Sequence, residues 1–321
     1  MSTVVALSGG VGGAKLAAGL AAVLAPDELT VVCNTGDDFE HFGLPICPDF
    51  DTVLYTLAGR ANPLQGWGLA GETWNVMQAL DAIGAENWFQ LGDSDLATHL
   101  FRRGRLQAGD SLTDVAMALC ERFGVRHAVW PMSDDPVRTV VQLAGDGGEL
   151  AFQHYFVRDR CAPAIRGFRF EGIATARPQP RLTALLAGRA TEAVVICPSN
   201  PFVSVDPILS LPGLRNLVAQ SAAPVIAVSP IVGGRALKGP AAKMMQELGM
   251  PVTARAVATH YGDLLDGFVL DHADAGDAAA IEATGVRVLV TDTVMTEPEK
   301  RVALAREVLA FSKQTAKRPP T

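Results

Sequence analysis

Apolar residues fall into short, dense runs, and most of the longer stretches between them have helical spacing. The runs are "VVAL" (residues 4–7), "LTVVC" (29–33), "HAVWP" (127–131), "EAVVIC" (192–197), "APVIAVSP" (223–230), "DGFVLD" (266–271) and "VRVLVT" (286–291). Their length and their Val and Ile content predict buried strands. Helical stretches alternate with most of them, at 14–24, about 51–58, about 72–83, 94–103, 112–123, 206–220, 239–248, 275–283 and 297–312. Such alternation predicts an α/β fold, a mainly parallel sheet with helices on both faces. Between about 50 and 125 the strand signal nearly vanishes, which predicts a helical insertion within a single elaborated domain, 1–321. Period-two alternation around Gly-Asp-Gly-Gly in 137–170 predicts a small β-hairpin. The tail "KQTAKRPPT" is polar and is expected to fray. There is no internal repeat.

In open α/β sheets, ligands bind beyond the carboxyl ends of the strands. Five polar clusters here follow strands: "SGGVGG", "NTGDDFEHFG", "MSDDP", "PSNPFVS" and "PIVGGRALKGPA". The first joins a strand to an Ala- and Leu-rich helix. A turn without Cβ atoms lets backbone N–H groups close on an anion, and the helix start adds its positive dipole end. That suits a phosphate or diphosphate. Two familiar loops are excluded. Counted from Gly9, a Walker loop would need Gly and Ser/Thr where Ala14 and Leu16 flank Lys15. Counted from Gly10, the dinucleotide fingerprint meets Lys15 in place of its third glycine. A plain strand-to-helix turn would need fewer glycines and no lysine.

With 321 residues, 49% hydrophobic and 19% charged, the chain can bury a large core. A net charge of −7 argues against nucleic acid or anionic membrane as the main partner. No apolar run is long enough to span a bilayer, and no basic region precedes the first one. Cys33, Cys47, Cys120, Cys161 and Cys197 lack paired spacing, which fits thiols in a reducing cytoplasm and gives no zinc motif.

The segment 33–59, "CNTGDDFEHFGLPICPDFDTVLYTLAG", gathers Asp37, Asp38, Asp49 and Asp51, with Glu40 and His41 between. Four carboxylates so close need a counter-charge. Mg2+ takes one or two carboxylates plus phosphate oxygens, so the cluster suits a metal-bound phosphate. Asp38 and Glu40 equally suit solvated loop charges, and Asp49 or Asp51 could cap the helix starting near Thr52. Ser199 and Asn200 lie between two prolines and offer hydroxyl and amide groups to a second phosphate or a nucleobase edge. Gly233 and Gly234, with Arg235 and Lys238, could cover phosphates. In "LGDSDLATHL", His99 follows Asp95 by four residues on one helix face, a pairing as compatible with structure as with catalysis.

In order, "SGGVGGAKL", "NTGDDFEHFGLPICPDFDTVLYTLAG", "LGDSDLATH", "MSDDP", "PSNPFVSVDPIL" and "SPIVGGRALKGPA" closely resemble the signature blocks of the 2-phospho-L-lactate transferase family, CofD or FbiA, over about residues 3–296. The resemblance implies a Rossmann-like core and a cytoplasmic, Mg2+-dependent homodimer acting on small molecules. It implies transfer of a phospho-hydroxyacid from a guanosine diphosphate ester to the deazaflavin Fo, with GMP released and the first phosphodiester form of coenzyme F-420 made. Relatives use 2-phospholactate, phosphoenolpyruvate or 3-phosphoglycerate donors, and these residues do not choose among them.

Carried over by position, Gly10, Gly12, Gly13 and Lys15 would hold the diphosphate. Ser199, Asn200, Gly233 and Gly234 would complete the donor site. Asp37 and Asp49 are the metal candidates, and Asp51 and Gln90 face Fo. Gln90 stands where relatives often carry a basic residue. Asp37, Asp51 and Lys15 are the catalytic candidates, the two carboxylates as possible bases for the ribityl hydroxyl. Both lie in a loop or at a helix start, so their replacement by Asn is expected to leave the fold intact. A non-enzymatic nucleotide-sugar-binding regulator is the competing reading, but such proteins lack the block from Asp49 to Gly59. An NAD-dependent oxidoreductase is weakened by the missing glycine and by Asn34 at the end of the second strand.

Overall fold

A computed structural model describes residues 3–318. Each of the seven apolar runs contributes a strand to one parallel sheet: β1 (Thr3–Ser8), β2 (Leu29–Cys33), β3 (Ala128–Pro131), β4 (Thr191–Ile196), β5 (Val225–Val228), β6 (Gly267–Asp271) and β7 (Arg287–Thr291). Their spatial order is β3-β2-β1-β4-β5-β6-β7, and every pairing is parallel. The order reverses between β1 and β4. Two connections leave that point in opposite directions and open a crevice above it.

Period-two alternation sorts the side chains between two cores. Val5, Leu7, Val194 and Ile196 enter one, and Val4, Ala6, Ala193 and Val195 the other. Helices α1 (Gly10–Val23), α2 (Pro48–Leu57) and α5 (Leu112–Phe123) contribute to the second core, as does the C-terminal helix Pro298–Gln314. Pro48 opens α2 with Asp49 and Asp51 in its first turn, the arrangement favoured at the positive end of a helix. A Ser111–Asp114 capping box starts α5. Helices α3 (Asn75–Ala82) and α4 (Asp93–Gln107) complete the helical stretch between about 50 and 125.

Gly19 lets α1 approach the C-terminal helix closely. A Cβ there would collide with the Arg301 carbonyl. A carbonyl held in helix backbone cannot swing aside, so Gly19→Ala is expected to destabilise the protein by about 1–3 kcal/mol despite its better helix propensity. Urea denaturation would measure this.

Several elements differ from those the sequence predicts. The 137–170 region is a three-stranded antiparallel sheet, with Arg138–Leu143 between Glu149–Ala151 and Ile165–Glu171. The helix expected over 206–220 is broken into Asp206–Leu209 and Leu214–Gln220, interrupted at Pro212 and Gly213. Pro180–Ala187 and Ala254–Tyr261 are additional helices. The tail is tied down as far as residue 318. Buried Asp266 accepts from the Arg318 N–H at 2.7 Å and pairs with Lys317 at 3.2 Å. The rest of the tail lies outside the described residues.

Candidate active site

A cleft of about 520 Å³ opens at the strand-order reversal, a volume suited to small-molecule ligands. Its floor is the glycine turn after β1 and the loop after β4. Gly12 has no room for a Cβ, which would collide with the Pro198 carbonyl, and Gly13 backs onto Ser8 and Ser199. Ser199 Oγ accepts from the Gly9 N–H at 3.1 Å and donates to the Gly9 carbonyl at 2.8 Å, locking the two loops together. Asn200 accepts from the Phe202 N–H through its side-chain oxygen. It opens a wide i→i+5 turn at Pro201–Val205, and a second such turn, His154–Arg158, borders the cleft opposite. Wide turns of this kind often occur at functional sites.

The glycine turn is not vacant. The Gly10 N–H donates to Asp49 Oδ1 at 2.6 Å, so a carboxylate already answers the positive end of α1. Asn34 Nδ2 donates to Asp49 Oδ2 at 2.9 Å and to Asp37 Oδ1 at 3.1 Å, drawing both carboxylates to one amide. Burial raises Asp37 well above the usual carboxylate range, and the Asp49 charge adds to this. Burial raises Asp49 to about 6 against the opposing pull of the Asn34 and Gly10 bonds. Among the described residues no group of three or more His, Cys, Asp or Glu side chains is arranged to hold a metal. Two mutually repelling carboxylates on the cleft wall nevertheless fit Mg2+, which completes its shell with phosphate and water oxygens.

The four clustered carboxylates divide between several counter-groups. Asp51 pairs with the fully buried guanidinium of Arg102 on α4. Burial raises Asp51, while Arg102 and His99 pull it back. Asp38 points away from the cleft toward Thr35, Cys47 and Arg102, and burial raises it to about 7. Glu40 is solvent-exposed on the hairpin formed by Phe39–His41 and Leu44–Ile46.

Lys15 and Lys238 line the cleft. Burial lowers Lys15, and the nearby positive charges of Arg301 and Lys238 lower it further. Lys238 Nζ donates to the Gln65 carbonyl at 3.0 Å, joining two loops across the mouth. Gly233 and Gly234 lie off the cleft lining, and the Gly233 N–H donates to Asp274. Their turn shapes the hairpin that carries Lys238. Gln90 lines the cleft, and its amide donates to the Asn87 carbonyl at 2.6 Å.

Two groups, one on the wall and one buried behind it, carry no strong local signal in the sequence. Trp88, Phe89, Phe152 and Phe156 give one end an aromatic surface. The neighbourhood of "NWFQ" could have suggested it, since bulky apolar residues sit there in a polar loop. Arg102 is the other. It lies in "FRRGR", which resembles an exposed helix face.

Residues 4–307 match the family described as 2-phospho-L-lactate transferase CofD. A phosphoenolpyruvate transferase from Kitasatospora aureofaciens is 43% identical, over 97% of this chain and 98% of its own. A 2-phospho-L-lactate transferase from Methanosarcina mazei is 40% identical, over 94% and 98%. A crystal structure of a UPF0052 family protein from Bacillus halodurans shares the fold at a TM-score of 0.63 and 16% identity, covering 96% of this chain and 98% of that one. With a match along nearly its whole length, the chain belongs to the 2-phospho-L-lactate transferase CofD family and is an enzyme, a phosphotransferase.

Proposed function

We propose that the enzyme transfers a phospho-hydroxyacid from a guanosine diphosphate ester to the deazaflavin Fo, releasing GMP and forming the first F-420 phosphodiester. The supporting observation is that one cleft joins a cationic, amide-rich floor to an aromatic end, with carboxylates between. The floor suits a nucleoside diphosphate and the aromatic end a flat polycycle. Asp37 and Asp49 would hold Mg2+, which when bound neutralises phosphate charge.

The remaining chemistry falls to the chain's own side chains. Lys15 and Lys238 balance the donor's charge, and Ser199 keeps the two floor loops in register. Asp51 accepts a hydrogen bond from the terminal ribityl hydroxyl of Fo and orients it toward the phosphorus that carries the acid. The new O–P bond forms as the hydroxyl proton passes to Asp51 and the bond to the bridging oxygen breaks, and GMP departs with the electron pair. Positioning and electrostatics supply most of the catalysis. In the same reading the enzyme is a cytoplasmic homodimer with neither nucleic-acid nor membrane partners. No described helix is long and apolar enough to cross a membrane.

The test is incubation with Fo, Mg2+ and guanylyl esters of 2-phospholactate, phosphoenolpyruvate or 3-phosphoglycerate. GMP and a phosphodiester of Fo should appear in equal amounts, and the product mass identifies the acid. Fo left unchanged by all three donors would defeat the proposal.

A further inference from the structure

We infer, on the transfer reading above, that Lys243 is a positioning residue for the acceptor. From behind the cleft wall it holds a strained turn whose front face carries the aromatic surface. The turn is the wide one at His154–Arg158. Phe152, two residues before it, and Phe156 within it both line the cleft, and their rings stack at 5.4 Å and 9°. His154 packs edge-on against Trp88, a third ring of the cleft lining, at 4.8 Å. One short segment therefore supplies or buttresses three of the four aromatic side chains at that end.

The chain leaves this turn through an unfavourable conformation. Arg160 and Cys161 follow one another at φ 49° and 57°, in the left-handed region that disfavours residues with a Cβ. Two in succession persist only where the surrounding contacts over-determine them. Here the Cys161 N–H donates to the Tyr155 carbonyl at 2.8 Å, folding the chain back on the turn. Tyr155 is fully buried, and its side chain meets Lys243 instead of the cleft.

Lys243 supplies the clamp. It stands on the helix Ala241–Glu247, off the cleft lining and one helical turn from Glu247. An ammonium has three hydrogens and no acceptor, and three acceptors surround this one. They are Glu247 Oε1 at 2.5 Å, the Pro163 carbonyl at 3.1 Å and the Tyr155 hydroxyl at 3.4 Å. Glu247 Oε2 in turn accepts from the Ile165 N–H at 3.3 Å. The ion pair thus grips the chain on both sides of the two left-handed residues. A solvated helix-surface pair would leave hydrogens to water, whereas this one turns them on a single loop.

Fo binding read by its fluorescence, and GDP binding read by calorimetry, would test this on Lys243→Met, Arg160→Gly and the double variant. Hydrogen exchange would be followed over 154–161. Lys243→Met should bind Fo about tenfold more weakly, the scale of losing one or two aromatic contacts. Its GDP affinity should stay within about twofold, and its loss in turnover should fall on KM for Fo more than on kcat. Its amides over 154–161 should exchange faster. Arg160→Gly removes the Cβ penalty at an exposed position. In the double variant it should therefore recover about threefold or more of the lost Fo affinity and slow the exchange again.

A folded Lys243→Met protein with normal Fo affinity would overturn the assignment. So would equal losses toward Fo and GDP, unchanged exchange over 154–161, or a double variant no better than Lys243→Met. Should Lys243→Met fail to fold, Lys243→Gln takes its place under the same criteria. Wild-type protein that binds no Fo would overturn the transfer reading and this inference together. Wild type that binds Fo, with a Lys243 variant that binds it equally well, would overturn this inference alone.

Discussion

Asp37→Asn and Asp51→Asn are each expected to lose turnover by roughly 10²-fold or more, the scale of removing one charge-stabilising group from an active centre. Assays over a grid of Mg2+ and Fo concentrations should separate them. Asp37→Asn should demand more Mg2+, because Asp37 shares the Asn34 amide with Asp49. Asp51→Asn should weaken the response to Fo and leave the Mg2+ requirement unchanged. Near-normal turnover of both variants at saturation would make the carboxylate cluster structural.

Proton and cation should compete at the Asp37–Asp49 pair. Burial raises both groups, Asp49 to about 6, so wild-type activity should decline as pH falls through that value. Added Mg2+ should move the decline to lower pH, and a midpoint indifferent to Mg2+ would contradict the metal assignment. The two variants should also differ in stability. Asp51→Asn strands the buried Arg102 charge, a loss on the order of 3–5 kcal/mol, so a helix-start position does not protect the fold as expected from sequence. Asp37→Asn removes a carboxylate whose charge burial and the neighbouring Asp49 already disfavour, and its melting temperature should stay near wild type.

Lys15→Ala should weaken donor binding or slow transfer by about 10- to 150-fold, the equivalent of a charge-assisted hydrogen bond of about 1.5–3 kcal/mol. Lys15 lines the cleft with the charges of Lys238 and Arg301 nearby, and a bound diphosphate would relieve their mutual repulsion. Fo binding without donor, titrated by its fluorescence, should be unaffected, as should the Mg2+ dependence. A variant that lost Fo but kept the donor would reverse the orientation of the two substrates.

The strand framework was legible because each buried strand is a dense apolar run, and both faces of the sheet demand such runs. The cleft was legible as loops following strands, but individual roles were less so. Gly233 and Gly234 look like a phosphate cover in sequence, yet they turn a hairpin whose Lys238 reaches the cleft. Arg102 was illegible for another reason. Its partner Asp51 is 51 positions away, and only the packing of α4 beside α2 turns a surface-like arginine into a buried one.

The reversal of strand order also governs when the molecule can be completed during its synthesis. β1 emerges first, but its β4 neighbour begins at Thr191. At roughly 5–20 residues per second, one side of β1 stays unpaired on the ribosome for about ten to forty seconds. A nascent chain in that interval presents an apolar strand edge to any other chain nearby. Slow translation or early truncation before Thr191 should therefore yield aggregates rather than a soluble half-enzyme, and chaperones that shield strand edges should matter most for this stretch of the chain.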